Sequence, residues 1–242
     1  MRDRVFIGTA ALLFIGSVAV TVTWCASMTG MPGMDMAGGW TMSMAWMRMP
    51  GQTWLDAGAT FLGMWSVMML AMMLPAVTPA LRGHRHVLAV AAAYFGVWLL
   101  SGLALYPLGL AFAGLAMQVP ALSRGVPVLA AATLLCAGVL QVGRWKARQL
   151  ECCRSWTKHR PAPGLAAAWR HGLHLGLRCC VCCAPLTAAM LVLGVMDLAA
   201  MAAATAAISL ERLAPRGRVA ARISGALLLG AGLASLAGAF AA

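Results

Sequence analysis

The chain has 242 residues, 62% of them hydrophobic and only 10% charged, with mean hydropathy +0.84. Soluble domains carry about 25% charged residues, so this composition excludes an ordinary soluble domain and implies an integral membrane protein. The net charge of +12 would suit nucleic acid, but the basic residues gather in short segments between apolar runs, the pattern of a topology signal instead.

Apolar runs predict spans at about 5–25, 57–80, 87–112, 126–143, 172–193, 196–211 and 223–241. They are continuous rather than alternating, so the fold class is all-α, a polytopic helical bundle of about six or seven spans and not a barrel. With the N-terminus in the cytoplasm, 15 of the 18 basic residues fall on cytoplasmic segments. A bacterial inner membrane is the expected location, with anionic lipid headgroups rather than nucleic acid against the basic loops. One membrane domain is expected over 1–242: an anchor helix at 1–25, a Met-rich outer loop at 26–56, and a bundle carrying a Cys cluster at 57–242.

Arg2 and Arg4 precede the first span as a signal peptide would begin, yet the apolar stretch from Val5 to Val22 exceeds a usual signal core. Trp24 before Cys25 argues against a lipoprotein cleavage site, so an uncleaved anchor is expected.

The first outer loop holds Met28, Met31, Met34, Met36, Met42, Met44, Met47 and Met49 among Gly, Pro, Ser and Thr. Thioether sulfur is a soft, neutral ligand suited to Cu(I), and it tolerates an oxidising compartment better than thiols do. Met64, Met68, Met69 and Met72 share one face of the second span, where methionine is also an ordinary core residue. Pro75 and Pro79 are expected to kink or end that helix.

Cys152 and Cys153 lie in the basic segment after the fourth span, with Arg148 and Arg154 placed to favour thiolate. A bend there could bring the pair to the inner end of the fifth span. That span carries Cys179-Cys180-Val181-Cys182-Cys183, four thiols in five residues. At ~100° per residue they occupy a ~160° arc, and their i,i+3 and i,i+4 pairs place Cβ atoms ~5–6 Å apart. Thiols so gathered could grip Cu(I), or Zn(II). Met190 continues this stripe outward.

The stretch 172–210 is too long for one crossing and basic on both flanks, so it predicts a hairpin turning near Gly194–Asp197. Asp197 is read as a snorkelling or helix-starting residue or a functional group, and Glu211 with Arg212 as an interfacial ion pair. Cys136 is expected to pack, and the five histidines form no site by spacing. No phosphate loop, Ser-His-Asp set or hydrolytic carboxylate pair is present, so no catalytic residue is assigned.

At these residues the chain resembles a bacterial family of predicted metal-binding integral membrane proteins, copper-chaperone-like and linked to maturation of polyphenol oxidase. The resemblance covers about residues 40–215. Trp65-Ser-Val-Met68-Met69-Leu-Ala-Met72-Met73-Leu-Pro75 is similar to the family's M-W-x-V-M-M-x-A-M-M-x-P segment. Ala137-Gly138-Val-Leu-Gln141, Lys146 and Cys153-Arg154 resemble its A-G-x-Y-Q…K-x-x-C-L-x-x-C-R stretch, and Cys179, Cys182 and Cys183 its C-x-G-C-C-W motif. Gly194-Val-Met196-Asp197-Leu resembles G-x-M-N-L, and Glu211-Arg212 resembles E-K. Gln149 stands where the family has the first Cys of its pair, Ala184 replaces Trp, Asp197 replaces Asn, and Cys152 and Cys180 are extra. The resemblance implies copper as the metal and a recipient copper enzyme or carrier as the partner. A membrane thiol–disulfide oxidoreductase using the C-x-x-C pairs Cys179/Cys182 and Cys180/Cys183 stays open as an alternative, as does a passive assembly subunit.

Overall fold

The computed structural model describes residues 2–29, 33–43, 46, 47, 51–158 and 164–241. A chain so poor in charge satisfies its backbone polar groups internally, and it does so as helix. The elements in order are α1 (Arg2–Thr29), β1 (Met34–Met36), β2 (Trp40–Met42), α2 (Trp54–Leu81), α3 (Val87–Gln118), α4 (Pro120–Val142), α5 (Arg144–Lys158), α6 (Leu165–Leu193), α7 (Leu198–Leu213) and α8 (Gly217–Ala241). Among the described residues, α1, α2, α3, α4, α6 and α8 are long and apolar enough to cross a membrane. The bundle has a basic pole, where α2 ends and α3 begins, and a hairpin pole, where β1 and β2 sit.

The expected sixth span, at 196–211, is corrected. The hairpin forms where the flanking charges demanded it, turning at Gly194 with φ +126°. Asp197 starts α7, its carboxylate accepting from the Ala200 amide at 2.9 Å. But α7 has only 16 residues, about 24 Å at 1.5 Å per residue, short of the ~30 Å hydrocarbon core. It returns only as far as the middle of α6. Beyond Cys179, about 21 Å of α6 continues toward the basic pole.

α5 fills the step left there. Its sequence reads as a basic loop, yet Lys146, Leu150 and Cys153 recur at i, i+4 and i+7 and are all buried, while Arg144 and Arg148 stay exposed. Gly143 breaks the chain between α4 and α5 in an extended conformation.

Close helix approach depends on small residues. Between α4 and α8, a Cβ on Gly138 would meet Leu229 Cγ at 2.7 Å and the Gly225 carbonyl oxygen at 3.0 Å. Between α2 and α3, the Trp65 indole donates to the Trp98 carbonyl at 2.9 Å. Pro75 and Pro79 lie inside α2, which runs on past both to Leu81.

The outer methionine segment is not wholly irregular. β1 and β2 pair antiparallel, with Met34 opposite Met42 and Met36 opposite Trp40. The Trp40 indole donates to the Ser123 carbonyl at 3.0 Å, and the Ser123 hydroxyl donates to the Ala37 carbonyl at 2.7 Å. Met42 is buried against Ala113 and Ala116 of α3.

Candidate metal centre

The thiols of α6 face inward as the helical arc predicts: Cys179, Cys182 and Cys183 are buried and Cys180 is half-buried. What surrounds them comes from four other helices. Gly172 and Gly176, one turn apart on α6, let α3 approach closely. A Cβ on Gly176 would lie 2.9 Å from Val97 Cγ2 and 3.0 Å from the Tyr94 carbonyl oxygen. That approach sets the Tyr94 hydroxyl to donate to Cys179 Sγ at 2.9 Å. α2 brings Met73 Sδ to 3.9 Å from Cys179 Sγ, and Cys183 Sγ lies 3.8 Å from it. α7 then delivers Arg212, whose Nη1 donates to the same sulfur at 2.8 Å. Cys179 is the hub of the centre.

A second thiol pair forms beside it, where Cys153 of α5 packs with Leu150 against Cys182. The Cys153 thiol donates to the Arg178 carbonyl at 3.2 Å. Its hydrogen bond with Cys182, followed by burial, pushes its pKa up.

Behind both pairs lies a buried polar network. The Lys146 ammonium donates to the Cys182 carbonyl at 2.7 Å and pairs with Glu211 Oε2 at 2.7 Å. Glu211 Oε1 accepts from the Ser224 hydroxyl at 2.9 Å and from the Gln141 amide. Burial works against the Lys146 charge, but Cys182 and Glu211 outweigh it, and the lysine pKa is raised. Arg154 closes the C-terminus of α7, donating to the carbonyls of Glu211, at 2.9 Å, and Ala214.

This network overturns two expectations. Glu211 and Arg212 are not an interfacial pair: both are buried, Glu211 bonding to α4, α5 and α8 while Arg212 turns to Cys179. Adjacent helical residues diverge by about 100° and so serve different neighbours. The cation nearest the thiols is Arg212, not Arg148 or Arg154, because α7 stops at the height of Cys179.

The other sequence candidates divide by depth and face. Met190 is buried in the core but eleven residues from Cys179, about 16 Å along the axis. Met68 and Met72 are buried in the same apolar cluster, yet the α2 thioether at Cys179 belongs to Met73. Cys152 and Cys180 stay half-buried, and among the described residues neither joins a sulfur pair. Met34 is exposed, Met36 half-buried and Met42 buried, all at the hairpin pole. Met31 and Met44 lie outside the described residues. Cys136 is exposed rather than packed, and Cys25 is buried. The C-x-x-C pairings are not the close ones; the contacts are Cys179 with Cys183 and Cys153 with Cys182.

Tyr94 and Met73 were missed as site residues. The G-x-x-x-G of Gly172 and Gly176, just before the thiols, is the signal that a neighbouring helix would press close there.

Among the described residues, no three His, Cys or carboxylate side chains surround one point. The third sulfur at Cys179 is a thioether. A metal about 2.3 Å from each of three sulfurs in a plane needs them about 4 Å apart, and the two edges at Cys179 measure 3.8 and 3.9 Å. Two thiols and a thioether suit a soft ion of low coordination number such as Cu(I) better than a closed tetrahedral zinc site.

A family described as "PpoB2: Copper chaperone" matches the chain over residues 62–235, well over half its length and including all of these groups. No curated protein and no solved structure matches it.

Proposed function

Because the chain belongs to the PpoB2 copper chaperone family, we propose that it is a multi-pass protein of the bacterial inner membrane that carries Cu(I) as cargo to a recipient copper enzyme. Its role is accessory rather than catalytic. The observation that carries this reading is the meeting of Cys179, Cys183 and Met73 sulfurs from two helices, with Arg212 on Cys179.

Charge supports a monovalent ion. Arg212 and Lys146 are buried against one carboxylate, Glu211, and a buried charge without compensation is costly. Two thiolates around Cu(I) carry one net negative charge, which offsets that surplus. A divalent ion with the same two thiolates would leave the surplus in place. Arg212 Nη2 is buried with no hydrogen-bond partner among the described residues, in keeping with a centre that takes on negative charge.

Transfer proceeds by ligand exchange: an incoming thiolate bonds to Cu(I) before an outgoing one leaves, the metal stays monovalent, and each thiol surrenders its proton as it ligates. Cys182 and Cys153, beside the first pair, are the next acceptors, with Cys152 next to Cys153 on α5. The hairpin methionines Met34, Met36 and Met42, with Met31 and Met44 of the same segment, collect copper on the other side.

The test is copper stoichiometry and affinity of the purified full-length protein, measured anaerobically against a Cu(I) chelator. The Cys179→Ser/Cys183→Ser protein is expected to lose its tight Cu(I). Undiminished stoichiometry in that protein rejects the site.

A further inference from the structure

Apart from the sulfur centre, the geometry points to a binding site for the phosphate of an anionic phospholipid at the basic pole, between α5 and α8. A cavity of about 310 Å³ opens where α4 ends. Two arginine rows border it: Arg144 and Arg148, one turn apart on α5, and Arg218 and Arg222, one turn apart on α8. Like charges at i,i+4 repel along a helix, and here two such rows share one space.

The acids nearby are already engaged. Among the described residues lining the cavity the one carboxylate is Glu151, and it pairs with Arg218. Lys146 reaches the cavity wall but is held by Glu211. Arg144, Arg148 and Arg222 therefore present three guanidinium groups to one volume that its own lining does not neutralise. Guanidinium forks match phosphate oxygens in geometry as well as charge.

The surface beside the cavity selects among phosphate carriers. Val142 lines the cavity and is exposed at 42%, while Val139 one turn before it on α4, Ile223 next to Arg222 on α8 and Trp145 next to Arg144 on α5 are exposed at 62%, 59% and 37%. An occupant must then offer apolar chains next to its phosphate, with an indole at the boundary where such rings settle. Basic pockets between membrane helices recognise anionic headgroups in this way. The site stands on α4 and α8 crossing the membrane and is independent of copper.

The test uses the full-length protein in nanodiscs of phosphatidylcholine with and without phosphatidylglycerol, reading bound lipid by native mass spectrometry. Phosphatidylglycerol should be retained over phosphatidylcholine. The Arg144→Gln/Arg148→Gln/Arg222→Gln protein should bind it about 100-fold more weakly, taking the usual worth of a basic side chain at a charged surface three times over. The corresponding triple Lys protein, which preserves charge, should retain most of the preference and serves if the Gln protein fails to fold. Equal retention by the wild-type and Gln proteins would overturn the site. Displacement of the lipid by millimolar inorganic phosphate would overturn the lipid assignment in favour of a free-anion site.

Discussion

Sulfur is concentrated in two regions of this protein, and they are built differently. On α6 Cys179, Cys182 and Cys183 are buried, and two of them meet atoms from other helices: Tyr94, Met73 and Arg212 at Cys179, and Cys153 at Cys182. At the hairpin pole Met34 is exposed and Met36 half-buried on a two-stranded ribbon tied to α4 through Ser123. The first region is preorganised, with its sulfurs and countercharges fixed by packing. The second is a set of neutral sulfurs near a surface, able to touch a soft ion but not to hold its charge. Density of sulfur in sequence does not distinguish them; burial beside a cation does.

The comparison breaks most severely if the countercharge is removed. Glu211→Gln strands the Lys146 ammonium in the interior, and breaking a buried pair on one side costs about 3–5 kcal/mol. Chemical denaturation in detergent should register that loss, and an unchanged midpoint would mean that the Lys146–Glu211 pair is solvated. Next comes Arg212→Met, which leaves every sulfur in place but removes the guanidinium from Cys179. Cu(I) affinity should fall about 10–100-fold, the usual effect of removing a partner of a metal ligand, with stoichiometry unchanged. Chelator competition distinguishes this from the loss of sites in the double Cys protein.

Alkaline pH provides a smaller perturbation of the same region. The Lys146 pKa is higher in the folded protein than in the unfolded chain. Its contribution is fully present below the ordinary lysine pKa and declines as pH rises through the folded value. Unfolding followed across that range should show an alkaline loss of stability that Lys146→Met/Glu211→Leu flattens. The smallest effect belongs to the hairpin. Ser123→Ala removes one hydrogen bond to Ala37, about 1 kcal/mol locally, and should leave chelator-measured Cu(I) affinity untouched. A parallel fall in affinity would show the two regions to be coupled.

Legibility followed periodicity. The helical bundle and the α6–α7 turn could be read from the length and basic flanks of the apolar runs, and the shared face of Cys179, Cys182 and Cys183 from residue spacing, because one helix turns by a fixed angle per residue. Family motifs carried Lys146, Cys153 and Glu211 into view without saying what they touch. The length of α7 was misjudged because basic flanks report which side a segment returns toward, not how deep it goes. On α2 the expected face of Met64, Met68, Met69 and Met72 left out Met73, which lies one turn beyond Met69 and brings its sulfur to Cys179.

By itself the sequence determined the lipid-compatible composition, the long apolar helices, the sulfur on one face of α6 and the family. Each is a property of one segment, or of residues within a turn of one another. Only the tertiary structure decided that Cys179 pairs with Cys183, that Cys153 reaches Cys182, and that Arg212 rather than Arg154 bonds to the sulfur. Those outcomes depend on how far one helix runs past another, which is settled by glycine contacts such as Gly176 against Tyr94 and by the early end of α7. No local rule of spacing contains that distance.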